Sequence, residues 1–312
     1  MDYRTFGRTG LRVSVAGIGA GGASRLGLSY GGSEEQAIAV MHRAIDLGIN
    51  YFDTAESYQT EEVVGRALAG HRDEVVISSK IAPFHPDGVM LTRAELREAV
   101  EAALTKLQTE VVDVYHLHRP SLEHYDYCRN ELVPELEAMR DEGKLRFLAL
   151  SESTSLDNRH SMLHRAVEDD CWDVIMTGFN LFNQSARDEV FPGTIEKGVA
   201  VEIMGAARGP FSRPEVLGGE VARLVSAGEL DPSKVDPEQP LSFLDAAPGV
   251  DSMADASYRF AAHEPGVNVV LIGTGKIEHL EENVAALSGG PLPDAVREVM
   301  VEGYGHLALG RG

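Results

Sequence analysis

TRAELREAVEAALTKLQTEVVDVYHLH, residues 92–118, decides the fold class. Thr92 and Glu95 stand at the spacing of a reciprocal helix cap, and Leu96, Val100, Ala103 and Leu107 recur on one face of the helix they introduce. Val111–Leu117 follows as a mostly apolar run, too short for another helix and without the alternation of a strand that has one wet face. A one-sided helix that delivers the chain into a strand buried on both faces is the repeating unit of a parallel α/β fold.

The unit recurs in both directions. Upstream, Val13–Ile18 reads as a strand ending in a glycine cluster; Ser33 and Gln36 cap a helix carrying Ile38, Met41 and Ile45, and Gly48 stops it before the extended run Ile49–Phe52. Glu61–Ala69 then reads as helix and Val75–Ser79 as strand. Downstream, helices near Glu131–Arg140, Asp157–Glu168 and Ser185–Lys197 lead to strands at Arg146–Leu150, Asp173–Thr177 and Val199–Ile203. The last strand, Asn268–Ile272, follows a helix at Met253–His263. Before that helix lies a glycine-, proline- and acid-rich excursion between Gly209 and Pro248, with one short helix expected around Val221–Leu230. The economical reading is a (β/α)8 TIM barrel forming a single domain over residues 1–312, with a long loop between strands seven and eight. The first dozen residues, broken at Gly7 and Gly10, are expected to form an N-terminal β-hairpin, and Asp294–Glu302 a terminal helix.

Charge narrows the partners. Forty-nine acidic residues against 28 basic ones leave a net charge of −21, a field that repels polyanions, so no nucleic-acid and no membrane partner is expected. The N-terminus lacks an apolar signal segment and no window is apolar enough to span a bilayer, which predicts a cytoplasmic protein, either monomer or homo-oligomer. Two cysteines, Cys128 and Cys171, form neither a disulfide framework nor a thiolate metal cage.

In such a barrel the carboxyl ends of the strands form the reactive rim. Strand two ends in Asp53, strand three in Lys80 and strand four in His118, with Tyr58 just past strand two. Each has a bland reading: Asp53 with Glu56 as a capping box, Tyr58 as a surface ring, Lys80 as a solvated charge, His118 as a core imidazole. Their convergence on adjacent units favours chemistry. A phenol, with an ordinary pKa of about 10, donates a proton near neutrality only if a cation stabilises its phenolate. Lys80 is placed to be that cation, Asp53 to pair with it, and His118 to orient a carbonyl oxygen. Hydride must come from a nicotinamide, since no side chain supplies it.

These residues lie in segments that resemble the aldo-keto reductase family over nearly the full length: FDTAESY at 52–58, SSK at 78–80, VDVYHLHRP at 112–120, GKLRFLALSES at 143–153 and LIGTGKIEHLEEN at 271–283. The resemblance implies a (β/α)8 barrel and a catalytic tetrad of Asp53, Tyr58, Lys80 and His118. It also implies reduction of a small aldehyde, ketone or sugar carbonyl, or oxidation of the alcohol, with NADP expected ahead of NAD. Where relatives often hold the carboxamide with a Ser-Asn pair and a Gln, this chain has Ser151, Glu152 and Met176, and Met204 stands near the position of a stacking aromatic. Gly273, Thr274, Gly275 and Lys276 precede a helix start suited to phosphate. His279 takes the place of an arginine that grips the adenosine phosphate, and Glu282 and Asn283 match adenine contacts. Gly19, in the first glycine loop, is expected to allow close approach of the cofactor. Tyr30, Arg119, Tyr125, Tyr127 and Phe211 are candidate contacts for a carbonyl or polyol substrate.

Three rival readings follow from the residues. Gly17 to Gly22 satisfies GxGxxG, but ten loop residues separate it from the next helix and Asp53 lies 31 positions further, unlike a Rossmann fingerprint. His116 and His118 share one strand face, as metal ligands do, yet the ends of strands five to eight offer no further histidine to close a set, so no metal is expected and His116 reads as a second-layer residue bonded to a neighbour. The third is a redox-sensing subunit that binds nicotinamide with little turnover, suggested by Glu152 and Met176.

Overall fold

β1 (Tyr3–Thr5) and β2 (Arg12–Ser14) pair antiparallel in the computed structural model, which describes residues 1–236, 238–240, 242–245 and 247–310. This is the expected hairpin. Its Phe6 and Val13, fully buried, pack against residues near the starts of barrel strands, Tyr51, Val76, Val114, Val174, Ala200 and Val269, and so close the floor of the barrel. Phe6 meets the Tyr51 ring edge-on at 5.3 Å between centroids.

Eight parallel strands close the barrel: β3 (Ala16–Gly19), β4 (Tyr51–Asp53), β5 (Val76–Ile81), β6 (Val112–His118), β7 (Leu145–Ser151), β8 (Val174–Gly178), β9 (Ala200–Met204) and β10 (Val269–Ile272), which pairs with both β9 and β3. Burial is complete along β4, β6 and β8, as continuous apolar runs require when helices cover the outside. The connecting helices are α1 (Glu34–Asp46), α2 (Glu61–Leu68), α3 (Arg93–Leu107), α4 (Leu122–Tyr127), α5 (Val133–Asp141), α6 (Ser161–Ala166), α7 (Ala186–Glu189), α8 (Phe191–Lys197), α9 (Pro214–Ser226), α10 (Ser242–Asp245), α11 (Met253–Ala262), α12 (Ile277–Leu287) and α13 (Asp294–Tyr304). Reciprocal caps form at Ser33–Gln36 and Thr92–Glu95, where the spacing predicts them.

Several boundaries differ for local reasons. The helix expected at Glu131–Arg140 begins about two and a half turns earlier as α4 and runs through a wide π turn at Cys128–Leu132, because Tyr125, Cys128 and Leu132 are all core residues. The helix expected over Ser185–Lys197 breaks at Val190, with φ −123°, just before Pro192, which lacks the amide a continuous helix needs. The segment expected as helix from Asp157 starts only at Ser161, since His160 takes a left-handed conformation, φ +58°. In the excursion, the helix expected around Val221–Leu230 is α9, earlier and longer, opened by a proline in its first turn. Residues 237, 241 and 246 of that excursion, and 311–312 of the expected 1–312 span, lie outside the described residues.

Candidate active site

β4, β5 and β6 bring Asp53, Lys80 and His118 to one end of the barrel. Register places Asp53 opposite Ser78, whose hydroxyl donates to Asp53 Oδ1 at 3.0 Å; Lys80 Nζ donates to the same oxygen and, at 2.8 Å, to the Thr54 carbonyl. Tyr58 ends a single helical turn (Glu56–Tyr58) directly after β4 and is half-buried. That turn is capped by Ala55 without a side-chain bond, so Asp53 is no cap. The Lys80 ammonium lies 5.0 Å from the Tyr58 ring centroid, and the His118 ring stands edge-on to Tyr58 at 5.6 Å and 88°. All four tetrad residues therefore meet.

Burial and charge act on them in opposite senses. Burial drags the Lys80 ammonium down, but the Asp53 carboxylate and the Tyr58 phenol outweigh it and leave Lys80 above the ordinary lysine value. Burial lifts Asp53 above the usual carboxylate range, against the pull of Lys80. His118 is held well below the usual imidazole value, first by burial and then by Lys80, Arg119 and His116. It is neutral at pH 7, and its buried Nδ1 has no partner among the described residues. The unfolded chain binds a proton on this histidine below about pH 6.5 that the folded chain refuses, so stability falls on acidification through that value. Denaturation midpoints compared at pH 7.5 and 5.5 are expected to drop less in His118→Gln than in the native chain.

The glycine loop after β3 (Ala16–Gly19) braces the phenol. A Cβ on Gly21 would sit 2.3 Å from Tyr58 Cε2, so only glycine lets the ring lie where it does. Gly21→Ala is expected to displace Tyr58 at an overpacking cost of about 1–3 kcal/mol and to lower turnover at least tenfold. Unchanged turnover would show that the loop does not hold the ring. Gly19 pairs with Asp53 across the β3–β4 register, and a Cβ there would meet only ordinary contacts.

The residues expected near the carboxamide are already engaged. Ser151 Oγ accepts the Arg119 amide at 3.2 Å. Glu152, buried, receives Thr177 Oγ1 at 2.6 Å, the Gly178 amide at 3.0 Å and His160 Nδ1 at 2.8 Å. Burial works against the proton on His160, yet Glu152 raises it above the usual imidazole value. His160 was not expected as a site residue, although a histidine eight positions from a strand-end glutamate was its signal. Met176 is buried in register with Ser151 and Glu202, and Met204 is half-exposed at the end of β9 opposite Gly178.

On the opposite side, the loops after β3, β9 and β10 touch. A Cβ on Gly275 would fall 2.3 Å from the Gly27 Cα, so the two loops meet backbone to backbone. Thr274 Oγ1 accepts the Lys276 amide at 3.2 Å, α12 starts at Ile277 without a side-chain cap, and Gly273, Lys276, His279 and Glu282 are exposed with Asn283 half-buried. Arg208 Nη2 comes within 3.5 Å of where a Gly22 Cβ would stand. Arg25, Arg208, Arg213 and Lys276 make no ion pair among the described residues, while most arginines and lysines elsewhere do. Arg25, Arg208 and Arg213 were not expected as site residues; their place in the loops that follow the first and seventh barrel strands, in a chain of charge −21, was the available signal.

Of the candidate substrate contacts, Tyr125 and Phe211 belong to the core: Tyr125 donates to Asp169 at 2.6 Å, and Phe211 packs on Phe182 at 5.0 Å. Tyr127 donates to the Leu91 carbonyl, whereas Tyr30 and Arg119 are exposed. Arg119, with Ser121, Glu152, Leu156 and Asp157, lines a cavity of about 460 Å³ in which His118, Tyr58 and Lys80 take no part. Burial pushes both cysteine thiols up to about 12, which removes thiolate chemistry at neutral pH. No helix among the described residues is long and apolar enough to cross a membrane.

The model of the aldo/keto reductase family matches residues 18–300. The chain is 27% identical over 306 residues to an uncharacterized oxidoreductase, YqkF, of Bacillus subtilis, covering 94% of each chain. It is 26% identical to L-galactose dehydrogenase of Arabidopsis thaliana over 92% of this chain and 88% of that protein. Among solved structures it resembles the aldo-keto reductase AKR11C1 of Bacillus halodurans in its holo form, with TM-score 0.74, 25% identity and coverage of 97% and 96% of the two chains.

Proposed function

Because the chain belongs to the aldo/keto reductase family, we propose that it is a nicotinamide-dependent oxidoreductase that interconverts a small carbonyl compound and its alcohol, with Tyr58 as proton donor and acceptor. One observation carries the reading: a fully buried ammonium, neutralised by Asp53, lies against the ring of a half-buried phenol beside a neutral imidazole. Lys80 favours the phenolate when the proton leaves, and His118 is free to hydrogen-bond a carbonyl oxygen without adding charge.

The residues fit a dinucleotide. His118 keeps an orphaned buried nitrogen at the mouth, and the unpaired Lys276, Arg208 and Arg25 suit phosphate groups in an otherwise repelling field. Lys276 and the α12 N-terminus would hold one phosphate, with His279, Glu282 and Asn283 toward the adenosine. When bound in its reduced form, the nicotinamide supplies the hydride. NADP is the preferred form on the strength of these cations. Lys276→Ala is expected to weaken NADPH binding by roughly 10–100-fold, the scale of one charged hydrogen bond, and NADH binding less, as read by fluorescence titration. Equal losses for both would place Lys276 on the shared pyrophosphate.

The cavity by Arg119 sets Leu122, Leu156 and Met162 beside Ser121 and Asp157, an apolar wall with a few polar groups that suits a small carbonyl compound. Purified protein incubated with NADPH and a panel of aldehydes, ketones and sugars tests the proposal. Consumption of cofactor dependent on the carbonyl supports it; tight binding without consumption on any member replaces it with a redox sensor.

A further inference from the structure

The inner wall of the barrel carries a second set of titratable side chains one layer below Lys80. Alternation along the strands turns Tyr51, His116 and Glu202 inward, all three fully buried. Tyr51 donates its hydroxyl to Glu202 Oε1. His116 Nε2 lies 3.4 Å from the same oxygen, and His116 is the register partner of Lys80. One ligand-type atom from each of Asp53, His116 and Glu202 falls within 4.8 Å of the other two, so this lower layer touches the catalytic one through Asp53.

Charge counting shows what the layer must contain. Lys80 neutralises Asp53 and nothing else. Glu202 would then be a bare carboxylate at zero exposure, a state the interior does not support. Burial, followed by Glu202 and Asp53, holds the Tyr51 phenol far above the usual tyrosine value, so Tyr51 donates a hydrogen bond but gives up no proton. The groups facing Glu202 and His116 are Tyr51 and Asp53 on β4, Lys80 on β5 and His118 on β6; β3, β7, β8 and β10 present Gly17, Ala149, Met176 and Val269 there, none of which titrates. Among the described residues facing this layer, His116 and the Glu202 carboxyl itself are the remaining carriers for a balancing proton. Neither of its ring nitrogens makes a hydrogen bond among the described residues, and Glu202 Oε2 is likewise unpartnered.

We propose that His116 and Glu202 hold one proton between them as a buried, net-neutral pair, and that this pair, acting through Asp53 and Lys80, sets the pH range over which Tyr58 exchanges its proton. Both are positioning residues: neither reaches the substrate. The inference about pH control rests on the role given above to Tyr58; the shared proton does not.

Two kinds of measurement separate the parts. Ring nitrogen signals of His116, followed by NMR in the native protein without cofactor, are expected to stay constant from pH 6 to 9 and to move when Glu202 is replaced by glutamine. A ring that titrates in that window, signals indifferent to Glu202→Gln, or signals altered by a chelator, which would mean a metal on the same atoms, each overturn the pair. For pH control, His116→Gln leaves the Glu202 carboxyl as sole holder of the proton, and loss of that proton on the alkaline side sets a charge near Asp53 and Lys80. A negative charge there opposes loss of the phenolic proton, so the alkaline limb of the pH–rate profile moves up by about one unit. Glu202→Gln, which leaves no charge, moves it little, and the double variant returns it to the native position. A merely structural pair would lower activity in all three variants without moving the limb. Equal shifts in the His116→Gln and double variants, or no shift in either, overturn the control. If His116→Gln does not fold, Glu202→Gln decides, since a limb displaced by a full unit there contradicts the neutral pair. If Tyr58→Phe remains active, the proposed function fails while the NMR result still stands.

Discussion

Tyr58→Phe is expected to reduce turnover by about 10²–10⁴-fold, the range for loss of a positioned acid, while cofactor affinity stays nearly unchanged. The phenylalanine ring fills the same space against Gly21 and keeps its edge-on contact with His118, so the variant isolates the hydroxyl. Stopped-flow reduction at saturating cofactor, together with a binding titration, checks both halves. A variant that loses affinity and turnover together would point to a collapsed loop instead of a missing proton.

Lys80→Met is expected to damage both stability and activity. Methionine removes the partner of Asp53, 2% exposed, and of the Thr54 carbonyl, and stranding a buried charge in this way costs about 3–5 kcal/mol. Activity falls as well, because the phenol loses the cation that favours its ionised form. Adding Asp53→Asn to Lys80→Met should restore part of the stability, since no bare charge remains, and none of the activity. Chemical denaturation and steady-state kinetics on the two variants distinguish the effects. Recovery of turnover in the double variant would remove Lys80 from its role.

Most of what places the tetrad was legible along the chain because it depends on short-range signals. Thr92 with Glu95 and Ser33 with Gln36 announce helix starts through bonds made within one turn, and the apolar runs between them have a single buried solution. Asp53, Lys80 and His118 follow from strand ends alone. Other features depend on contacts across the barrel, which strand ends do not reveal. Glu202 sits in mid-strand in AVEIM, where an acid facing inward is tolerable only if the opposite wall supplies Tyr51 and His116. A charged residue at the centre of an apolar strand was the signal. The metal reading overlooked it by considering strand ends only, although Lys80 already supplies a cation beside Asp53. Tyr125 and Phe211 looked like loop residues because α4 and the turn near Gly209 are short and polar around them, yet both are anchored in the core.

Deuterium tracing gives the most direct test of the central claim. NADPH labelled at the transferable position of the nicotinamide ring, turned over with an aldehyde that the protein accepts, is expected to place deuterium on the carbinol carbon, and Tyr58→Phe to slow that transfer without diverting the label. Oxidation of NADPH with no deuterium in the alcohol, or full transfer at the native rate in the phenylalanine variant, would contradict the account.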